Sequence, residues 1–417
     1  MRTNSLKNIF HKILEDENLK GMFSYDDFRK NICKLKNPPW CNENDDKWVV
    51  DDDITEMEYY VQVNHEREAN TSMIAKIFLL LGKRNRVHPL KDYLNALKWD
   101  GVSRMDTWLV DVCGCPDNAY TREAGSVFLL GAISRIYEAG CQFDYMLILE
   151  GEQGIGKSTL FRILGGEFYV DTSMGESENK KELVDICQGG WIVEIADMAG
   201  FKKSAVESIK RFISCLKDKV RLSYARRSQE YPRQSVFVGT HNPSGDNQYL
   251  KDDTGNRRFY PVECSKADVD LMAEIRDQLW AEALVRYHGY KQTGKKTKEY
   301  LCLNNPESLR ILTEMHSDRE PDSPIDLMLG EYVAGKPYVK SSDIFRDVYK
   351  VEIGRLSSQE IRSKYIHIGI FFKRQQWKKG VGSKRGYYFR PGHEHDYIIG
   401  FKVSEEAEQI ASEGWQE

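Results

Sequence analysis

The sequence predicts an α/β protein built around a mostly parallel sheet, and three observations predict it. From about residue 145, apolar runs of strand length alternate with helical segments, at Tyr145–Leu149, Trp191–Ile195 and Ser235–Gly239. The first run leads into a glycine-rich loop followed by a helical stretch from Thr159 to Leu164. The rhythm ends near Pro261–Glu263, and a helical segment, Asp268–Tyr290, follows.

A chain of 417 residues is too long for one ordinary core. Its organisation suggests a helical N-terminal region (1–85), the α/β domain with its preceding helices (86–300) and a small C-terminal domain (301–417). The first ~80 residues read as irregularly helical, with apolar residues at helical spacing over Asn4–Leu14. An acidic stretch, Glu43–Glu58, leads into a helix near Met57–Val63. Apolar Ser72–Gly82 suits a buried helix, Pro89 and Asp100-Gly101 bracket another around Lys91–Leu97, and residues 121–140 suit a third.

Hydrophobic residues at 41% and charged residues at 30% mark a globular chain rather than a disordered one. No run approaches the ~20 apolar residues of a membrane helix, and the N-terminus lacks the pattern of a secretory signal. The nine cysteines are scattered, and only Cys113 and Cys115 stand close. That spacing argues against a disulfide framework or zinc finger and for buried free thiols in a reducing compartment, the cytoplasm.

The net charge of −4 conceals local asymmetry. Residues 202–233 hold ten Lys and Arg against three acids, and residues 355–390 hold ten against Glu360 alone. Two basic blocks on a nearly neutral chain make either a phosphate-binding surface or a pair of solvated faces.

Gly151-Glu152-Gln153-Gly154-Ile155-Gly156-Lys157-Ser158 fits G-x-x-x-x-G-K-[ST] at every fixed position. Strand, glycine loop and helix is the arrangement that lets backbone N–H groups and a helix N-terminus surround phosphate oxygens. Residues Gly151 to Thr159 are thus the candidate ATP-binding loop. Lys157 is placed to reach the β- and γ-phosphates and Ser158 to ligate Mg²⁺. Trp191-Ile-Val-Glu-Ile-Ala-Asp197 carries two acids on an apolar strand. Glu194 and Asp197 are candidates for the metal and the attacking water. Glu194 is favoured at the metal, because a carboxylate inside an apolar run needs a compensating partner.

Lys203–Leu216 reads as an amphipathic helix, followed by a basic hairpin with its turn near Arg226–Tyr231. Its Lys217, Lys219, Arg221, Arg226 and Arg227 are candidate phosphate contacts on DNA. Ser235–Asn242 is a strand with a polar end. Asn242 there is either a hydrogen-bonding partner of the γ-phosphate or an ordinary Asn-Pro turn. Arg257 and Arg258, in Asp252–Pro261, are candidate fingers for a transferring phosphoryl group, or a structural pair bonding Asp252 or Asp253.

In the C-terminal block, helices at Lys340–Val348 and Gln359–Phe372 precede a hairpin at Gln376–Arg390. Lys373, Arg374, Lys378, Lys379, Lys384 and Arg385, interleaved with Trp377, Tyr387 and Tyr388, suit a winged-helix module on a DNA backbone. The alternative is a small packing domain with a charged face.

GEQGIGKS, WIVEIAD, the basic hairpin, VFVGTHN and DDTGNRRFYP together resemble the virulence-associated protein E family, as does HPLKDYLNALKWDG upstream. Its members are phage- and island-encoded P-loop proteins similar to superfamily 3 helicases. The resemblance implies an AAA+-like ATPase core and a homo-oligomeric ring, a hexamer on single-stranded or forked DNA. It also implies a role in phage or mobile-element replication in a bacterial cell, beside a primase. Asn242 becomes the sensor, Arg257 or Arg258 the finger, and Lys219 or Arg221 the pore-hairpin contact. One departure is that Ile195 follows Glu194 where superfamily 3 proteins commonly place two adjacent acids. The alternative to a helicase is a replication initiator or loader that uses ATP as an assembly switch. A small-molecule kinase would need neither basic block.

Overall fold

The computed structural model describes residues 5–41, 46–172, 184, 187–195, 203–220, 228–243, 256–319, 324–380 and 385–392. The chain divides into two compact units, one of residues 1–246 and 254–312, the other of 247–253 and 313–417.

The heart of the first unit is a five-stranded sheet with every neighbouring pair parallel. Its strands are β4 (Met146–Glu150), β5 (Tyr169–Thr172), β6 (Ile192–Ile195), β9 (Val236–His241) and β10 (Phe259–Glu263), in the order β10-β4-β9-β6-β5. The three central strands are buried along their whole length, as a sheet covered on both faces requires. β9 lies between β4 and β6, pairing Glu150 with His241 and Glu194 with Val238. The C-terminal ends of β4, β6 and β9 therefore meet at one edge.

Helix α6 (Ala119–Tyr137) is buried almost all round, which explains why it carries no apolar stripe. It packs on α9 (Val269–Gln292), which lies in the chain between α8 (Lys203–Ile213) and α10 (Pro306–Arg319). Two indoles join the layers. Trp191 and Trp280 lie 4.2 Å apart. Trp191 donates to the Ala132 carbonyl at 3.0 Å, and Trp280 to the Leu164 carbonyl at 3.0 Å. Buried Glu282 on α9 accepts from the backbone N–H of Arg104 (2.7 Å) and Met105 (2.9 Å) and from Arg286 (2.6 Å).

The N-terminal region is not helical throughout. Helices α1 (Leu6–Glu15), α2 (Asp51–His65) and α3 (Thr71–Arg84) share a core with a small sheet. Its strands are β1 (Phe23–Asp26), β2 (Asn31–Lys34) and β3 (Arg86–Val87). Every residue of β1 is buried, so the two-residue alternation that marks a strand in sequence is missing there. Helix α2 starts earlier than expected, because Asp51, Asp52 and Asp53 occupy its first turn, where acids complement the helix dipole. Helix α4 spans Pro89–Ala96 and α5 spans Trp108–Cys113.

The second unit packs α11 (Pro324–Val333), α12 (Ser341–Asp347) and α13 (Ser358–Arg374) around one apolar cluster. A three-stranded antiparallel sheet joins them, β11 (Tyr338–Lys340), β12 (Lys378–Lys379) and β13 (Tyr387–Phe389), in the order β11-β13-β12. Trp377, Tyr387 and Tyr388, interleaved in sequence with the basic residues, do not share their exposed surface. All three are buried, and Tyr388 stacks on Phe372 with ring centres 4.3 Å apart. An aromatic run beside lysines reads as an interface only until its burial is known. Among the described residues, no helix is long and apolar enough to cross a membrane.

Candidate functional site

The loop of residues 151–156 joins β4 to α7 (Lys157–Gly165). Gly156 caps the helix at φ +105°, a backbone region that favours glycine. Gly151 faces a different constraint. A Cβ built on it would stand 2.5 Å from the Cys264 carbonyl oxygen. Glu152, Gln153, Gly154 and Thr159 are exposed, and Ile155 is half-buried.

Lys157 is buried. Its Nζ donates to the carbonyls of Gly151 and Glu152, both at 2.7 Å, and to Oδ1 of Asn242 at 2.8 Å. Burial lowers its pKa from the usual lysine value. Asn242 therefore meets the phosphate-loop lysine across the β4–β9 pair, in addition to preceding Pro243.

Ser158 Oγ donates to Glu194 Oε1 at 2.7 Å. Glu194 is fully buried, and two further hydroxyls serve it. Thr240 Oγ1 donates to Oε1 at 2.9 Å and Tyr169 OH to Oε2 at 2.6 Å. The compensation expected for a carboxylate in an apolar strand thus comes from three hydroxyls on α7, β9 and β5. Tyr169 and Thr240 were not singled out from the sequence. Each stands two residues from a register partner of Glu194, Tyr169 from Asp171 and Thr240 from Val238, a relation that appears once the strands are paired. A serine hydroxyl beside a buried carboxylate is a hard-oxygen donor set, which fits Mg²⁺. The glycine turn and the buried lysine fit a polyphosphate.

The basic hairpin pairs β7 (Lys217–Val220) with β8 (Gln229–Pro232), so Gln229, Glu230 and Tyr231, expected near the turn, stand on a strand instead. Lys217 and Lys219 are exposed, and Lys217 stands 3.8 Å from Glu230. Part of the surrounding basic block is structural instead. Buried Arg233 donates to Asp218 at 2.7 Å, and buried Lys210 donates to Asn256 at 2.8 Å. Arg257 is exposed, whereas half-buried Arg258 donates to Ser214 at 2.8 Å. In the second unit Lys378, Lys379 and Arg385 are exposed. Asp197, Arg221, Arg226, Arg227 and Lys384 lie outside the described residues, as do the side chains of Lys373 and Arg374.

The sequence reading also missed a cleft in the first unit, lined by Arg104, Val110, Asp111, Lys266, Leu271 and Ile275. Between its lining residues Lys266 and Leu271 in the chain lie Ala267 and Val269, which a Cβ on Gly156 would meet at 3.4 and 3.6 Å.

All nine cysteines are free. The fold brings Cys264 to Cys113 and Cys115, which the linear spacing did not show. Hydrogen bonds from the Cys113 and Cys115 thiols, with Lys157 nearby, hold Cys264 well below the usual thiol range. The same contacts push Cys113 well above the usual thiol range.

Among solved structures, the apo structure of the NrS-1 C-terminal region (305–718) aligns with TM-score 0.45 and 11% identity, covering 84% of this chain and 83% of that one. The A form of that apo region (305–718) aligns with TM-score 0.44 and 12% identity, over 89% and 96%. No curated protein matches the sequence. The virulence-associated protein E-like domain matches residues 94–319, over half of the chain and including the phosphate loop, the Glu194 strand, Asn242 and the arginine pair. This chain belongs to the virulence-associated protein E-like family.

Proposed function

We propose that the chain is an ATP-hydrolysing P-loop helicase or translocase of the superfamily 3 kind, acting on DNA in phage or mobile-element replication. The observation that carries the reading is the meeting of Ser158 with Glu194 at 2.7 Å and of Lys157 with Asn242 at 2.8 Å. A Mg²⁺-dependent phosphoryl-transfer site needs those residue types at those strand ends.

Residues Gly151 to Thr159 would hold the triphosphate, and Ser158 and Glu194 the metal. Bound Mg²⁺ supplies charge neutralisation on the phosphate oxygens. Lys157 adds a cation whose burial strengthens its pull on anions. Glu194, held by three hydroxyls, would keep the metal in a fixed place, and Glu194 or Asp197 would orient the attacking water. Asn242 links the state of Lys157 to the end of β9. Exposed Arg257 is the better finger for a neighbouring subunit's nucleotide, since Arg258 is engaged by Ser214. Such a finger in trans requires a ring or filament, for which a hexamer is proposed. Lys217, Lys219 and the exposed cations of the second unit, there read as a winged-helix-like module, would contact DNA phosphates.

The test pairs ATP turnover, with and without single-stranded DNA, with strand displacement on 5′- and 3′-tailed duplexes. The proposal expects DNA-stimulated hydrolysis, unwinding of one tailed substrate, and loss of both in Lys157→Ala. Hydrolysis without strand displacement would replace the helicase reading with a loader that uses ATP as an assembly switch. Failure to consume ATP under any of these conditions removes both.

A further inference from the structure

Cys113 closes α5, Cys115 follows the Gly114 turn, and Cys264 stands just past β10. Their three Sγ atoms lie within 4.8 Å of one another. Cys113 is wholly buried, and Cys115 and Cys264 are 4% and 7% exposed. Backbone bonds hold the group together. The N–H groups of Ser265 and Lys266 donate to the Cys113 carbonyl at 3.1 and 3.2 Å, and that of Cys264 to the Glu150 carbonyl at 2.6 Å. Gly114 sits at φ +62°, and a Cβ there would collide with Ser265 Oγ. The turn that sets Cys113 beside Cys115 is therefore built for glycine.

Three buried sulfurs converging on one point form a donor set of a definite kind. Thiolates are soft ligands and select soft ions. Sulfurs bound to a common Zn²⁺ at about 2.3 Å stand about 3.8 Å apart in tetrahedral geometry. The cluster needs to contract by at most about 1 Å to reach it. We propose that Cys113, Cys115 and Cys264 form a three-thiolate site for one soft metal ion, Zn²⁺ or Cu⁺. The ion replaces the thiol protons, which leave to solvent. It ties the end of α5 to the end of β10, and through the Cys264 carbonyl, which crowds Gly151, it braces the phosphate loop.

The full chain, prepared without chelator, is assayed for zinc and copper by elemental analysis. The expected result is roughly one ion per chain, zinc or copper, the ions that thiolate donors select. That content is lost in Cys113→Ser and in Cys264→Ser and kept in Cys302→Ser. Should the cysteine variants fail to fold, the wild-type chain carries the test. Co²⁺ or Cd²⁺ should produce thiolate charge-transfer absorbance saturating at one equivalent. The bound ion should protect Cys113, Cys115 and Cys264 from alkylation, mapped by peptide mass. Metal content equal in wild type and variants, or all three thiols alkylated equally with and without metal, overturns the proposal. So does a disulfide between any two of them in the chain as prepared.

Discussion

Ser158 Oγ lies 2.7 Å from Oε1 of Glu194, with the two residues on different elements of the sheet-and-helix core. The same oxygen accepts from Thr240, and the other accepts from Tyr169. A fully buried carboxylate held by three neutral hydroxyls has its geometry fixed by them. This arrangement makes Glu194 the residue on which the proposed chemistry turns.

Glu194→Gln keeps the shape and removes the charge. ATP turnover should fall on the order of 10²-fold or more, the range seen when a charged group at the reacting phosphate or water is lost. Nucleotide binding should survive. A variant that retains more than half of wild-type turnover would remove Glu194 from the mechanism.

Asn242→Ala should leave Lys157 with only its two carbonyl partners. The loss of one hydrogen bond to a charged group is about 1.5–3 kcal/mol. The expected outcome is a drop in kcat with little change in KM for ATP, measured by steady-state turnover. A rise in KM alone would make Asn242 a binding residue rather than a sensor.

The charge reversal Lys219→Glu is expected to weaken DNA binding uniformly across sequences. The slope of log affinity against log salt should become shallower by about 1 for each DNA phosphate that is no longer neutralised. An unchanged slope would return the β7–β8 hairpin to an ordinary solvated face.

Glu282 is a structural rather than a chemical residue. Glu282→Ala leaves two backbone N–H groups and Arg286 short of their buried acceptor. Breaking such a pair costs about 3 kcal/mol or more, read as a lower denaturation midpoint. A shift below about 0.5 kcal/mol, the scale of neutral surface changes, would contradict that account.

His88 supplies the pH dependence. Burial, with Lys91 and Lys30 nearby, lowers its pKa to about 4 from the ordinary 6.5. Between those values the unfolded chain binds the proton and the folded one does not. Its contribution is therefore complete above pH 6.5 and is lost as pH falls toward 4. His88→Gln should show a smaller loss of Tm between pH 7 and pH 5 than wild type. Equal losses would mean that His88 titrates normally in the folded state.

Local sequence determined the elements of the core. Glycine spacing, a strand-length apolar run and a following helix mark residues 145–164 because their geometry is set by neighbours in the chain. Glu194 was legible for the same reason, as a charge inside an apolar run. Only the tertiary structure decided what those residues meet. Strand order placed β9 between β4 and β6, which brought Thr240 to Glu194 and Asn242 to Lys157. Folding also turned Trp377, Tyr387 and Tyr388 inward and carried Cys264 to Cys113 and Cys115. Periodicity reports which face of an element is apolar; it holds no record of which distant element will cover that face. Contacts between strands and burial depend on the whole chain closing at once, so they are written in no single window of the sequence.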